Sequence, residues 1–463
     1  MTVDTDRPTP LTDTRADRPT DPADLPDAAE AVVADERGAE EAGTKRRSMF
    51  AALGQPNYRI YFAGAFVSNI GTWMQRVAQD WLVLELSHGS ALAVGVTTGL
   101  QFLPMLLLSP YGGLIADRFD KRRILRVTQG WMAVCAAVLG LLAVTGVAQT
   151  WHVFVIALAF GLGTAFDNPA RQAFVSEVAG GEHIANAVGL NSANFNAGRV
   201  IGPALAGLVI AGFGSGWAIL SNAVTYGAMI LALSLMNPAL LNRAERPPRA
   251  KHQIREGMSY IAHRSDLLLI LCVAFFVGTF GMNFQMTSAL MAQQEFHKGA
   301  AAYGILGTFM AVGSLTGALL AARRQTRPRG RFVVIMALAF AVVEIAAGLM
   351  PTYATYAAIL PLLGLVALLT LTAANASVQL GAAGHLRGRV MALYMMVLMG
   401  GTPIGAPLLG WVGEVLGPRW TLIGGGGLTA LGVLASVAFV LHREHLKVRP
   451  HLHPHPNLEV KAA

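Results

Sequence analysis

The sequence predicts an all-α polytopic membrane protein, twelve transmembrane helices arranged as two six-helix bundles. Three observations lead there. Of the 463 residues only 13% are charged, against roughly 25% in an ordinary globular protein, while 54% are hydrophobic and mean hydropathy is +0.49. From Tyr58 to Leu441 the chain is a train of apolar segments, each long enough to cross ~30 Å of hydrocarbon as a helix rising ~1.5 Å per residue. Lysine and arginine crowd the loops on one side of that train. Two cysteines, Cys135 and Cys272, both inside apolar runs, exclude a disulfide scaffold, and the hydrophobicity excludes a chain disordered throughout.

Residues 1–49 come first. Positions 1–44 hold eight Asp, four Glu and four Arg, a net of −8, so the rest of the chain carries +16. With no apolar stretch this is not a signal peptide, and it reads as a disordered acidic cytoplasmic leader. Spans are expected near 58–86, 92–116, 124–146, 151–171, 185–211 and 216–236, the first bundle, within 50–236. A polar stretch, 237–266, then reads as a cytoplasmic linker, and its Arg246–Arg249 core (Arg-Pro-Pro-Arg) argues against a continuous helix. The second bundle, 267–441, has spans near 267–293, 301–322, 332–350, 353–380, 388–416 and 419–441. Residues 442–463 are a basic, His-rich tail; prolines 450, 454 and 456 and the lack of a closed ligand set favour solvated chain over a metal site.

Twenty-seven Lys and Arg fall on one side of this arrangement and two, Lys298 and Arg419, on the other. That bias puts both termini in the cytoplasm, with the chain multi-pass in the plasma (inner) membrane, and agrees with an even number of spans. Shifting the chain by 203 residues lays Gly198, Gly202 and Gly207 on Gly401, Gly405 and Gly410, and a shift of 204 lays Gly113 on Gly317. The halves therefore read as parallel repeats, which suits a protein that rocks two bundles about a central site.

Between the second and third spans stands Gly112-Gly113-Leu-Ile-Ala-Asp117-Arg118-Phe-Asp120-Lys121-Arg122-Arg123. Glycines here permit close helix approach, and an acid among bases can form an ionic latch. The segment resembles motif A of the major facilitator superfamily, with Asp120 where the family usually has glycine. The resemblance implies a cytoplasmic gate made of Gly113, Asp117, Arg118, Arg122, Arg123 and Arg171, with Asp117 near the start of the eleventh span, at Arg387–Val390. In the fifth span, Gly189, Gly198, Gly202, Pro203 and Gly207 resemble motif C, the antiporter motif of exporters in that superfamily. Glycines four apart give a smooth packing groove, and proline frees a backbone group. Phe166–Phe174, Asn186–Asn191, Trp73-Met74-Gln75 and Asp80–Val83 resemble the enterobactin-exporter-like branch, grouped with the third set of drug–proton antiporters.

Ionisable groups inside a bilayer are costly and mark function by default. Arg76 and Asp80 share a face of span one, as either an ion pair or a proton site; Asp167 and Arg171 do likewise in span four, as a gate or cap pair. Arg199 sits mid-span in the fifth and needs a carboxylate, helix carbonyls or an anionic substrate. Asp80, Asp167, Arg76 and Arg199 are therefore the proton-coupling candidates. Glu344 is central in span nine, which the resemblance puts at the periphery. Asn283, Gln285, Asn375 and Gln379 lie on spans that line the cavity in that fold. No GxxxxGK[ST] loop and no H-E-x-x-H pattern occurs, so no enzyme and no cofactor is expected. The reading is a secondary active exporter of a small amphipathic molecule (drug, siderophore or metabolite) by proton antiport, acting as a monomer in the lipid bilayer without nucleic acid. A proton-coupled nutrient importer on the same fold and a non-transporting membrane receptor or scaffold are the alternatives.

Overall fold

A computed structural model describes residues 50–180, 183–242, 253–323, 328–383, 386–444, 446–451 and 457–462. The acidic leader, the Arg246–Arg249 core of the linker, and His445, His453 and His455 of the tail lie outside the described residues.

The spans are 1 (Pro56–Leu86), 2 (Ala91–Arg118), 3 (Lys121–Val144), 4 (Thr150–Ala179), 5 (Ile184–Phe213) and 6 (Ser215–Leu235). They continue with 7 (Ser265–Glu295), 8 (Ala300–Ala322), 9 (Gly330–Gly348), 10 (Tyr353–Gly381), 11 (Arg387–Leu416) and 12 (Arg419–Arg443). Among the described residues, eleven helical stretches are long and apolar enough to cross a membrane. Span 1 is a twelfth long helix, less apolar than these. Its 31 residues are ample, but Asn57, Ser68, Gln75, Gln79 and Asp80 are buried along it and lower its hydropathy.

Local chemistry sets the helix ends. Ser90, Asp120 and Thr352 cap spans 2, 3 and 10, each side-chain oxygen accepting an N–H of the first turn. Gly180, Gly214 and Gly417 stop spans 4, 5 and 11 with φ of 72°, 90° and 99°, a left-handed conformation that side chains resist.

The packing repeats. In the first six spans, 2 lies on 4, 3 on 4 and 6, and 1 on 5 and 6; in the last six, 8 lies on 10, 9 on 10 and 12, and 7 on 11 and 12. Between the two sets, span 2 meets span 11 and span 5 meets span 8, again equivalent pairs. Spans 5 and 11 have bounds offset by the same 203 residues that align their glycines. Gly161 and Gly364, 203 apart, make equivalent close approaches: a Cβ on either would overlap the carbonyl of Gln101 or Met310 on the facing helix.

Three features depart from the sequence reading. Span 7 is not continuous: Val277–Gly281 forms a π turn, Met282 and Asn283 leave the helix, and a second π turn covers Met291–Glu295. Gly278 and Gly281 weaken the helix there, and the Asn283 amide donates to the carbonyls of Thr279 (3.0 Å) and Phe280 (3.3 Å), replacing lost backbone bonds. The linker holds a helix, Gln253–Ala262, whose Glu256 pairs with Arg389 at the start of span 11. The tail is not wholly irregular either. Strands β1 (Leu446–His451) and β2 (Asn457–Ala462) pair antiparallel, Val448 opposite Val460, as the local alternation of apolar and polar residues allows.

Candidate functional site

One end of the molecule carries the basic loops; call the other the far end. Toward the far end the two bundles meet along two equivalent seams. On one, a Cβ on Gly304 of span 8 would overlap the carbonyl of Pro203, and one on Gly207 would lie 3.0 Å from the Ala301 Cα. On the other, a Cβ on Gly95 of span 2 would overlap the Ala406 carbonyl, and one on Gly410 would lie 2.7 Å from the Ala91 oxygen. Backbone thus touches backbone across both seams, which only glycine permits. The motif C residues divide accordingly. Gly198 and Gly202 face span 1, at Asn69 and Trp73; Pro203 and Gly207 face span 8; Gly189 has open space.

A carboxylate latches the far end. Glu414, near the end of span 11, accepts from the backbone N–H of Ala91 (2.7 Å) and Leu92 (3.3 Å) and from the Ser90 hydroxyl (3.1 Å) at the start of span 2. An anion on a helix N-terminus is favourable, so this contact holds the bundles together. Sequence reasoning missed Glu414, a lone acid near the end of span 11 with no acidic counterpart at the equivalent Ala211 of span 5.

Within the seam Tyr303 of span 8 donates from its hydroxyl to Asp80 Oδ2 (3.2 Å) and stacks on Trp81, with ring centroids 6.1 Å apart. Asp80 is only 7% exposed, and no ion pair joins it to Arg76 among the described residues. Arg76 instead lies over Trp73 (4.9 Å to the ring centroid) and Phe102 (5.8 Å), while Arg199 of span 5 borders the same Trp73 ring at 5.9 Å. Among the described residues neither guanidinium has a carboxylate or hydrogen-bond partner, and Arg76 Nε is buried without one. A bare arginine at mid-membrane costs about 2.5–3.5 kcal/mol on insertion scales. A cation–π contact returns about 0.5–2 kcal/mol. One tryptophan does not offset two such cations.

The second acid is differently placed. Asp167 accepts from Thr128 Oγ1 and Gln129 Nε2, both 2.8 Å, and from Arg171 Nε at 3.0 Å. It clamps span 4 to span 3, with its acceptor positions taken. Asp167→Asn strands the Arg171 cation; we expect a stability loss of about 3 kcal/mol, read as a lower unfolding midpoint of the purified protein, with transport falling only as folded protein falls.

The motif A segment is anchored within its own bundle. Arg122 donates to the carbonyls of Leu233 (2.5 Å) and Ser234 (2.8 Å) at the end of span 6, Lys121 pairs with Glu177 (2.5 Å), and Asp120 caps span 3. Asp120 therefore has its own local task where the family pattern has glycine. Asp117, Arg118 and Arg123 are exposed. The expected contact between Asp117 and the start of span 11 is not made: no hydrogen bond or ion pair joins them among the described residues, and Glu256 of the linker helix holds Arg389 there. The close approach falls to Gly112, whose Cβ would overlap the Ala165 carbonyl; Gly113 has open space.

Of the expected wall residues, Gln379 is exposed, Gln285 and Asn375 are half-buried, and Asn283 is buried in the break of span 7 with its Oδ1 unpartnered. Glu344 is not peripheral in its packing. It is 1% exposed, its carboxyl oxygens lie 3.4 Å and 3.3 Å from where Cβ atoms on Gly281 and Gly425 would be, and Oε2 has no partner. Among the described residues no group of three or more His, Cys, Asp or Glu could hold a metal.

Two bundles in this pairing, with seams that close one end, define a major facilitator transporter rather than an enzyme. Residues 47–463 match the transmembrane secretion effector family, and the chain belongs to it. It is 27% identical over 383 residues to the multidrug efflux pump Tap of Mycolicibacterium fortuitum, covering 80% of this chain and 91% of that one. It is 24% identical over 406 residues to the enterobactin exporter EntS of Escherichia coli O1:K1, covering 85% and 94%. With the staphyloferrin A transporter of Staphylococcus aureus it shares 26% identity over 265 residues, 57% of this chain and 66% of that protein, so just under two-thirds of that relative is spanned. Its fold is similar to that of a bacterial homologue of the human lysosomal transporter Spinster, solved inward-facing and occupied, with TM-score 0.63, 14% identity, and 83% and 96% of the two chains covered.

Proposed function

We propose that this protein is a secondary active exporter that moves a small amphipathic molecule out of the cytoplasm by proton antiport, as a monomer. The basic loops face the cytoplasm under the positive-inside rule, which makes the far-end seams the outer closure. The observation that carries the reading is the Asp80–Tyr303 hydrogen bond laid across a seam: the acid sits on one bundle and its donor on the other.

The coupling follows from that geometry. When the outer end opens, span 8 withdraws Tyr303, and a proton from outside takes the place of the hydroxyl hydrogen on Asp80. When the outer end closes, Tyr303 returns, and the proton leaves toward the cytoplasm. Inward proton movement gains ~2.3 kcal/mol per 100 mV, plus the pH difference, which drives cargo uphill. Export rather than import is supported by the motif C likeness in span 5, by the family and by relatives that are exporters of a siderophore and of drugs.

Everted vesicles energised by respiration test it with a panel of siderophores and fluorescent drugs. We expect at least one compound to accumulate in the lumen, to alkalinise it, and to leave when a protonophore is added. Accumulation only in right-side-out vesicles, or accumulation indifferent to the protonophore, overturns the proposal.

A further inference from the structure

We propose that Arg76, Arg199 and Trp73 form an anion site, and that the cargo is an aromatic anion: an acidic group on a planar apolar body. This rests on the exporter reading for the cargo's route, but its chemistry is read from the side chains alone.

Both cations border one indole ring, Arg76 at 4.9 Å and Arg199 at 5.9 Å, and neither meets a carboxylate among the described residues. Phe102 of span 2 lies 5.8 Å from the Arg76 guanidinium, and Phe195 of span 5 sets its edge against Trp73, with centroids 5.5 Å apart and planes at 73°. Two positive charges framed by aromatic faces suit a negative group carried on a ring: the charge satisfies the arginines and the body lies among Trp73, Phe102 and Phe195. A neutral or cationic guest would leave Arg199 without a counter-charge and Arg76 with only Asp80, one helical turn away and held by Tyr303.

The packing shows why the ring stands there. A Cβ on Gly202 would come within 2.5 Å of the Trp73 Cβ and 3.0 Å of the Ile70 carbonyl oxygen, so the middle glycine of motif C seats Trp73 against span 5, one turn from Arg199. Release is built in as well. Asp80 stands one helical turn from Arg76, yet here it is held by Tyr303. Opening the outer end frees Asp80 to turn to Arg76 and displace the anion; the proton that then binds Asp80 frees Arg76 for the return.

The test is binding without a gradient. The purified full chain in lipid nanodiscs is dialysed against radiolabelled 1-naphthoate, 1-naphthylmethanol or 1-naphthylmethylammonium, three probes of one shape and different charge. We expect naphthoate to bind at least about tenfold more tightly than the alcohol, and the ammonium to bind most weakly. Arg76→Gln and Arg199→Gln should each weaken naphthoate about tenfold without changing the alcohol, while Arg199→Lys keeps most of the affinity. Equal affinity for the alcohol, no naphthoate binding at about 10 mM, or both Gln variants binding naphthoate as the parent does, overturns the anion site. The Lys variant guards against misfolding, since it keeps the charge at the same position. Failure here leaves vesicle export untouched, and naphthoate binding without any export defeats the exporter reading alone.

Discussion

Asp80→Asn is expected to reduce gradient-driven accumulation in everted vesicles to the level of vesicles lacking the protein, while the amount in the membrane stays the same. The side chains have nearly the same shape, and the amide oxygen still accepts from Tyr303, so the seam and the helix packing remain. What is lost is the ability to take up and release a proton. Exchange of labelled for unlabelled cargo across the membrane, which needs the rocking of the bundles but no net proton transfer, should continue, slowed where Asp80 no longer displaces the cargo from Arg76. Tyr303→Phe separates the two elements of the mechanism. The acid is kept but loses its donor in the closed state, so coupled accumulation should fall about tenfold, in proportion to one charge-assisted hydrogen bond. Undiminished gradient-driven accumulation in Asp80→Asn would remove Asp80 from the coupling step, and loss of exchange together with accumulation would make it structural.

Much of this architecture could be read directly from the residues, because a bilayer allows few solutions. A backbone in hydrocarbon must satisfy its own hydrogen bonds, so apolar stretches become helices, and loop charges order them. The offset of 203 was visible in six glycines, and it returns as the offset between the bounds of spans 5 and 11. What could not be read depends on contacts between distant segments. The break in span 7 follows from an asparagine that bonds its own preceding carbonyls, and an apolar count does not register it. Asp80 and Asp167 look alike in sequence, each four residues from an arginine; only packing shows that one holds its arginine and the other turns to a tyrosine 223 residues away. Glu414 lies in the last turns of span 11, where an apolar count passes over a single acid, and its role appears only once the start of span 2 is brought against it. The motif A contact that the resemblance implies with span 11 is not made: Asp117 is exposed, and Arg389 at the start of span 11 pairs with Glu256 instead.

The same methyl group, added at three glycines, should have three outcomes. Gly405→Ala places a carbon onto the Thr279 carbonyl inside the second bundle. Overpacking against movable side chains costs about 1–3 kcal/mol, and a backbone obstacle raises that, so about 3 kcal/mol or more of stability should go, with little folded protein recovered. Gly189→Ala meets nothing within 4 Å, and alanine is the better helix former by about 1 kcal/mol, so that variant should be as stable as the parent or slightly more so. Gly304→Ala also strikes backbone, at Pro203, but across a seam between bundles that can part. It should fold, lose transport, and stand with its far end wedged open. A cysteine introduced by Ala301→Cys, which lies against Gly207 in that seam, reports the difference: its labelling by a membrane-impermeant maleimide should rise severalfold when Gly304→Ala is added. Unchanged labelling would mean that this seam does not move during the cycle, and a rocking mechanism could not survive it, because every opening of the far end must separate Gly207 from Ala301.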